Sequence, residues 1–258
     1  MAILNKNFLH GTIGPVVFKQ LGNKQIMTSK VKPGKMKQTG NTKKAANTFG
    51  KASKLAAEIR NIFDAEIGIF RDRDMHSRFS AALNVQLAHA RDPETGKFEL
   101  SANTFAPLQG FEFNLYSTLQ KHMIATPDML LTPGKLTVLF PEKIAQRLVK
   151  FPARAIYCEI VGVVALIRLK DGLRVQVPEQ QVIRLSKDNT LSRSVMLEFV
   201  VPDGCFCILS IFLQYYGRNS FLNNSKLNPG AICYAAISVG DYQEADPFFW
   251  IDMMGLKF

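Results

Sequence analysis

The chain has 258 residues, 47% hydrophobic and 21% charged, a globular balance that excludes a disordered polymer and leaves ample apolar material for a core. Its formal net charge of +11 is concentrated at one end: residues 1 to 60 hold twelve Lys or Arg side chains against a single acid, Glu58, while residues 61 to 258 are neutral. A positive field so localised attracts phosphates, anionic lipid or acidic protein surfaces in a salt-dependent way.

In chain order, residues 11 to 30 read as a β-hairpin, with a β-rich run at Val16, Val17 and Phe18 and a turn at Leu21-Gly22-Asn23-Lys24. A lone hairpin is unstable in water, so it must pair with the body, the next helix or another molecule. Residues 30 to 41 are rich in Pro, Gly and Lys and form a connector. A helix is expected over residues 42 to 63, with Ala45, Phe49, Ala52, Ala56, Ile59 and Phe63 as its apolar stripe and Asn41 or Thr42 as its cap. A second helix is expected over residues 75 to 91, capped by Asp74, with Phe79, Ala82, Leu83, Leu87 and Ala90 inward.

From Lys97 the period changes to that of short strands, at residues 111 to 117, 135 to 140, 155 to 169, 173 to 177, 194 to 201, 205 to 216 and 231 to 239. Asp171-Gly172 and Asp203-Gly204 supply turn chemistry between runs. The expected fold class is α+β: an N-terminal β-hairpin and two helices, followed by an antiparallel β-sandwich or jelly-roll-like body. The expected domains are residues 1 to 96, the basic hairpin and helical layer, and residues 97 to 258, the β body.

The four cysteines, Cys158, Cys205, Cys207 and Cys233, fall in apolar runs and read as buried free thiols rather than a disulfide framework. No signal peptide is read at the start, and the longest apolar stretch, Ile156 to Ile167, is too short to span a bilayer and carries Glu159. A cytoplasmic protein without a membrane span is the expectation.

No nucleophile elbow, His-Glu-x-x-His helix or Walker loop occurs. His76 and His89 are thirteen residues apart on one expected helix and cannot share a metal. Arg71-Asp72-Arg73-Asp74 reads as a solvated junction with a helix cap. No catalytic, cofactor or metal site is therefore assigned. The one positive signal is the basic segment, with Lys30, Lys32, Lys35, Lys37, Lys43, Lys44, Lys51 and Lys54 as the residues that would engage a polyanion or an acidic protein. Lysines outnumber arginine there and aromatics are few, so phosphate contact without base readout is the nucleic-acid alternative. The apolar run at Phe248, Phe249 and Trp250 must dock on its own body or serve as an interface.

Gly11-Thr-Ile-Gly14-Pro-Val-Val-Phe18, Gly22-Asn-Lys24 and Thr42-Lys-Lys-Ala-Ala-Asn-Thr-Phe-Gly50 resemble the opening of uncharacterised proteins of Bacteroidota. The resemblance extends to Asp74-Met75-His76-Ser77-Arg78 and to Leu108-Gln109-Gly110-Phe111-Glu112-Phe113-Asn114, covers less than half of the chain, and implies bacterial origin and an order of hairpin, helix and β body, with no activity. The basic arm before a β body is similar in architecture to small icosahedral virus coat proteins, which implies neutralisation of packaged nucleic acid. Together these readings favour a non-enzymatic structural or interaction protein that assembles with itself or other proteins, with a nucleic-acid-associated coat or packaging protein, or an enzyme with an unrecognised site, as alternatives.

Overall fold

The computed structural model describes residues 2–31, 39–143, 145–187, 195–243 and 247–258 and divides into two compact units, Met1–Lys44 and Ala45–Phe258. The fold is mixed α+β with antiparallel sheets.

In the first unit, β1 (Ala2–Asn5), β2 (Phe8–Ile13), β3 (Val16–Leu21) and β4 (Lys24–Ser29) form a four-stranded antiparallel sheet in sequence order. The expected hairpin is β3 with β4, joined at Gly22-Asn23, with Leu21 opposite Lys24. Strand β1 was missed by the sequence reading because its four residues are short of a full alternating run, and the turn after it uses Lys6 and Asn7 at positive φ rather than a glycine.

Helix α1 (Gly40–Ile62) starts two residues before the expected span. Thr39 supplies the cap: its Oγ1 accepts the Thr42 N–H at 3.2 Å and its carbonyl accepts the Lys43 N–H at 3.0 Å. The buried stripe is Thr48, Ala52, Leu55, Ala56, Ile59 and Ile62, continuing to Phe63, whereas Ala45 and Phe49 are exposed. Leu55 and Ile62 lie off the expected stripe, and burying them while Phe49 stays exposed turns the helix away from the expected centre line. After a short α2 (Asp64–Ile67), α3 (Met75–His89) buries Met75, Phe79, Leu83 and Leu87; Asp74 precedes it without a side-chain capping bond.

Seven strands and two short helices complete the second unit up to its last segment: α4 (Leu119–His122), β5 (Asp128–Thr132), β6 (Gly134–Phe140), α5 (Ala145–Leu148), β7 (Tyr157–Arg168), β8 (Leu173–Val175), β9 (Glu179–Ser186), β10 (Val195–Val201) and β11 (Phe206–Tyr216). β12 (Gly230–Ile237) and β13 (Trp250–Asp252) follow. A six-stranded sheet runs β12-β11-β7-β8-β13 with β9 also on β7, and a three-stranded sheet runs β10-β6-β5. Residues 111 to 117, expected as a strand, form only a bridge from Glu112 to Ala231; β5 and the polar-led β9 were not foreseen.

β7 and β11 are buried on both faces. Val161, Val163, Ala165 and Ile167 join Phe206, Ile208 and Phe212 in one core with α1 and α3. The alternate residues Cys158, Ile160, Val164 and Leu166 join Leu136, Val138, Leu197 and Phe199 of the smaller sheet in a second core. Double burial is why both strands read as continuous apolar runs instead of alternating ones. Gly162 opens the space for the second core: a Cβ there would lie 2.9 Å from Leu197 Cδ1 and 3.1 Å from Phe199 Cζ. The boundary expected at residue 96 falls inside the second unit, because α1 and α3 need the six-stranded sheet to cover their apolar faces.

Candidate functional site

The N-terminal sheet has no buried residue among those described. Its register separates two faces of different chemistry. Leu4, Leu9, Ile13, Val16, Phe18 and Met27 share one face with Ala2, Gly11, Gln20, Gln25 and Ser29, and none of these carries charge. Lys19, Lys24 and His10 lie on the other, among Ile3, Phe8, Val17, Leu21 and Ile26. Leu4 and Met27 are 69% and 67% exposed, so the uncharged face forgoes most of the roughly 1.5–3 kcal/mol that full burial of each such side chain is worth. The outer edge at β1, Ala-Ile-Leu-Asn, has no lysine or proline to discourage strand pairing.

Of the lysines singled out from sequence, Lys32, Lys35 and Lys37 lie outside the described residues. Lys30 follows β4 and is exposed, and Lys43 and Lys44 stand exposed in the first turns of α1, at the end where the helix dipole favours anions and no acidic residue is present. Lys51 and Lys54 belong to the second unit, where they border an open cleft of about 500 Å³ with Asn47, Gly50, Gly255, Leu256 and Lys257. The far wall of this cleft is tied down by the Met253 N–H on the Gly172 carbonyl at 2.8 Å and the Phe258 N–H on the Leu169 carbonyl at 3.1 Å. Lys51 Nζ donates to the Lys257 carbonyl and lies 4.9 Å from the ring centroids of both Phe98 and Phe258. Burial, and then the positive charge of Arg91, pushes the Lys51 pKa down. Glu58, the one acid of the basic segment, is engaged by Arg174 Nε at 2.6 Å. Sequence reasoning missed Lys257 because it is 203 positions from Lys54 and only the tertiary fold joins them.

A second cleft, of about 370 Å³, is lined by Leu119, Met123, Met129, Ile232, Cys233 and Glu112, among others. Glu112 accepts the Leu119 N–H at 2.7 Å and the Gln120 N–H at 3.2 Å, one on each carboxylate oxygen. Burial raises its pKa in spite of those bonds. Burial likewise pushes the Cys233 thiol up to about 12, which leaves almost no thiolate at neutral pH. With both carboxylate oxygens engaged and the thiol protonated, the groups here suit packing and α4 placement better than nucleophilic chemistry.

The apolar run near the end is divided by β13. Phe248 and Trp250 pack against the second core, with ring centroids 6.1 Å apart, while Phe249 is 71% exposed. Arg168 lies 3.5 Å over the Tyr242 ring and 5.5 Å from that of Trp250, holding this segment to the end of β7.

Asp72, expected at a solvated junction, is instead buried to 6% exposure. It accepts from Arg78 Nη2 at 2.5 Å, from the Asp74 N–H at 3.0 Å and from the Leu115 N–H at 3.2 Å. Asn114 is equally enclosed, donating to the Phe70 and Ser225 carbonyls at 2.8 and 2.9 Å. A buried polar group needs such partners, and three of them, Leu115 for Asp72 and Phe70 and Ser225 for Asn114, sit more than forty residues away in sequence.

Among the described residues, no group of three or more His, Cys, Asp or Glu side chains is placed to hold a metal ion, and no helix is long and apolar enough to cross a membrane. No protein-family model, curated protein or solved structure matches the chain.

Proposed function

We propose that this is a non-enzymatic assembly protein: a second copy covers the uncharged face and β1 edge of the N-terminal sheet, and the basic segment engages an acidic partner. The observation that carries the reading is a four-stranded sheet rich in Leu, Ile, Val and Phe in which no described residue is buried. Two copies can meet on that face without opposing like charges, although the segment as a whole is strongly positive. Antiparallel pairing of β1 with its copy would extend the uncharged face across both chains. The two packed sheets of the second unit are read as a β-sandwich that serves as the scaffold.

Light scattering of the purified chain at low and high salt, with absorbance at 260 and 280 nm on the same peak, tests this. The expected result is a nucleic-acid-free oligomer that Leu4→Lys with Met27→Lys reduces to a monomer whose melting is unchanged. A wild-type monomer at every concentration overturns it. The lysine-rich α1 and its cleft favour the second reading, a coat or packaging protein, which predicts large particles with excess absorbance at 260 nm that dissociate in salt.

A further inference from the structure

We propose that the cleft between α1 and the 253–258 segment binds a phosphoryl group, held by Lys54, Lys257 and Lys51 over the bare helix backbone at Gly50. This deepens the acidic-partner half of the reading above and rests on it, but does not depend on self-association.

Four features converge on the site. Three lysines and no Asp or Glu are among the residues that line the cleft, and the acids nearest to them in the chain, Glu58 and Asp252, are already engaged by Arg174 and by the Gly255 N–H. Among the described residues, Lys54 and Lys257 have no carboxylate partner, so both ammonium groups keep their donors for a ligand. Lys51 is held by the Lys257 carbonyl and two aromatic rings, which fixes one charge at the cleft wall and leaves it further N–H groups to donate.

The fourth feature is a pair of glycines. Gly50 lies within an exposed stretch of a long helix, where alanine is the better residue, and a Cβ built there meets nothing within 4 Å. Packing within the chain therefore does not call for a glycine at this position. Gly255, on the opposite wall, is equally open and follows Met254, both at positive φ; its N–H donates to Asp252 Oδ1 at 2.9 Å, which fixes the tight bend that precedes Lys257. Two bare backbone stretches flanked by lysines permit close approach of a tetrahedral oxyanion, and the low helix preference at Gly50 is explained by that approach.

Isothermal titration of the full-length chain at matched ionic strength tests the site, with inorganic pyrophosphate and a twelve-residue oligothymidylate as probes. Saturable binding is expected for at least one probe, weakened about twofold to thirtyfold in Lys54→Gln with Lys257→Gln, as the loss of two exposed charge pairs would give. Gly50→Ala should raise the thermal melting temperature and still weaken binding, a combination that a purely structural glycine would not produce. Tighter binding of pyrophosphate identifies a free phosphate ligand, and tighter binding of the oligonucleotide identifies a nucleic-acid backbone. No saturable binding of either probe, or affinity unchanged in the double lysine variant, overturns the proposal. Because the readout is affinity and not particle size, its failure is distinguishable from failure of the assembly reading.

Discussion

Strand β7 and the strands of the N-terminal sheet are both rich in β-branched and aliphatic residues, yet within its own unit the first is covered on both faces and the others on neither. In β7, the odd-numbered positions from 161 to 167 share a core with α1 and α3, and Cys158, Ile160, Val164 and Leu166 share the other with β6 and β10, so this apolar surface is removed from water within the chain. In β1 to β4 the same residue types stay half-buried or exposed. Composition alone does not separate these outcomes. A strand is stabilised by what lies above and below it, and only one of the two regions carries its own cover.

Amide hydrogen exchange breaks or sharpens this contrast most strongly. Amides of β7 and β11 should exchange at least about a thousandfold more slowly than those of β1 to β4 in dilute solution, because they open only with the whole unit. Protection in β1 to β4 should rise with protein concentration; concentration-independent protection there would remove the argument for a second copy.

Core truncation separates the regions next. Phe199, fully buried against Gly162, should cost about 3–5 kcal/mol when replaced by alanine, read from chemical denaturation. Phe18→Ala in the N-terminal sheet should leave the body's unfolding within about 0.5 kcal/mol of wild type and show itself in association. Overpacking the same core is the smaller perturbation: Gly162→Ala places a methyl 2.9 Å from Leu197 Cδ1 and should cost about 1–3 kcal/mol.

The smallest effect is a titration. Burial raises the Glu66 pKa above its ordinary value of 4.5, against the lowering effect of its hydrogen bond from Gln214, with Glu159 adding to the rise. The folded state therefore holds this proton more tightly than the unfolded chain does. Its share of stability is full below pH 4.5 and is lost as pH rises through the higher folded value. Glu66→Gln should flatten that part of the stability–pH profile; an unchanged profile would show that Glu66 does not contribute.

Much of the fold was legible where local patterning and burial agree. The helical periods before residue 96, the Asp171-Gly172 turn between β7 and β8, and the runs that became β6, β7, β10, β11 and β12 could all be read directly. β9 was hidden because it opens on three polar residues, of which only Gln180 is exposed, while Glu179 and Gln181 are half-buried by hydrogen bonds to Val200 and Glu198 that no local pattern announces. The helix stripe was misplaced by the small alanines, since Ala45 and Ala52 look alike in a periodic pattern and only Ala52 meets the sheet. Of the proposed site, Lys51 and Lys54 were visible as part of a charge run, but the cleft was not.

What the sequence determined by itself is a division of charge: nearly every excess lysine precedes residue 61, and no folding step can move a formal charge along the chain. It also determined that residues 157 to 168 and 206 to 216 must be enclosed, because so long an apolar run has no wet face to offer. Only the tertiary structure decided which cores enclose them, that Asp72 is an internal anchor, and that Lys257 stands across a cleft from Lys54. Those are long-range pairings, set by packing many side chains at once, and no local period in the chain encodes the partner of a given residue.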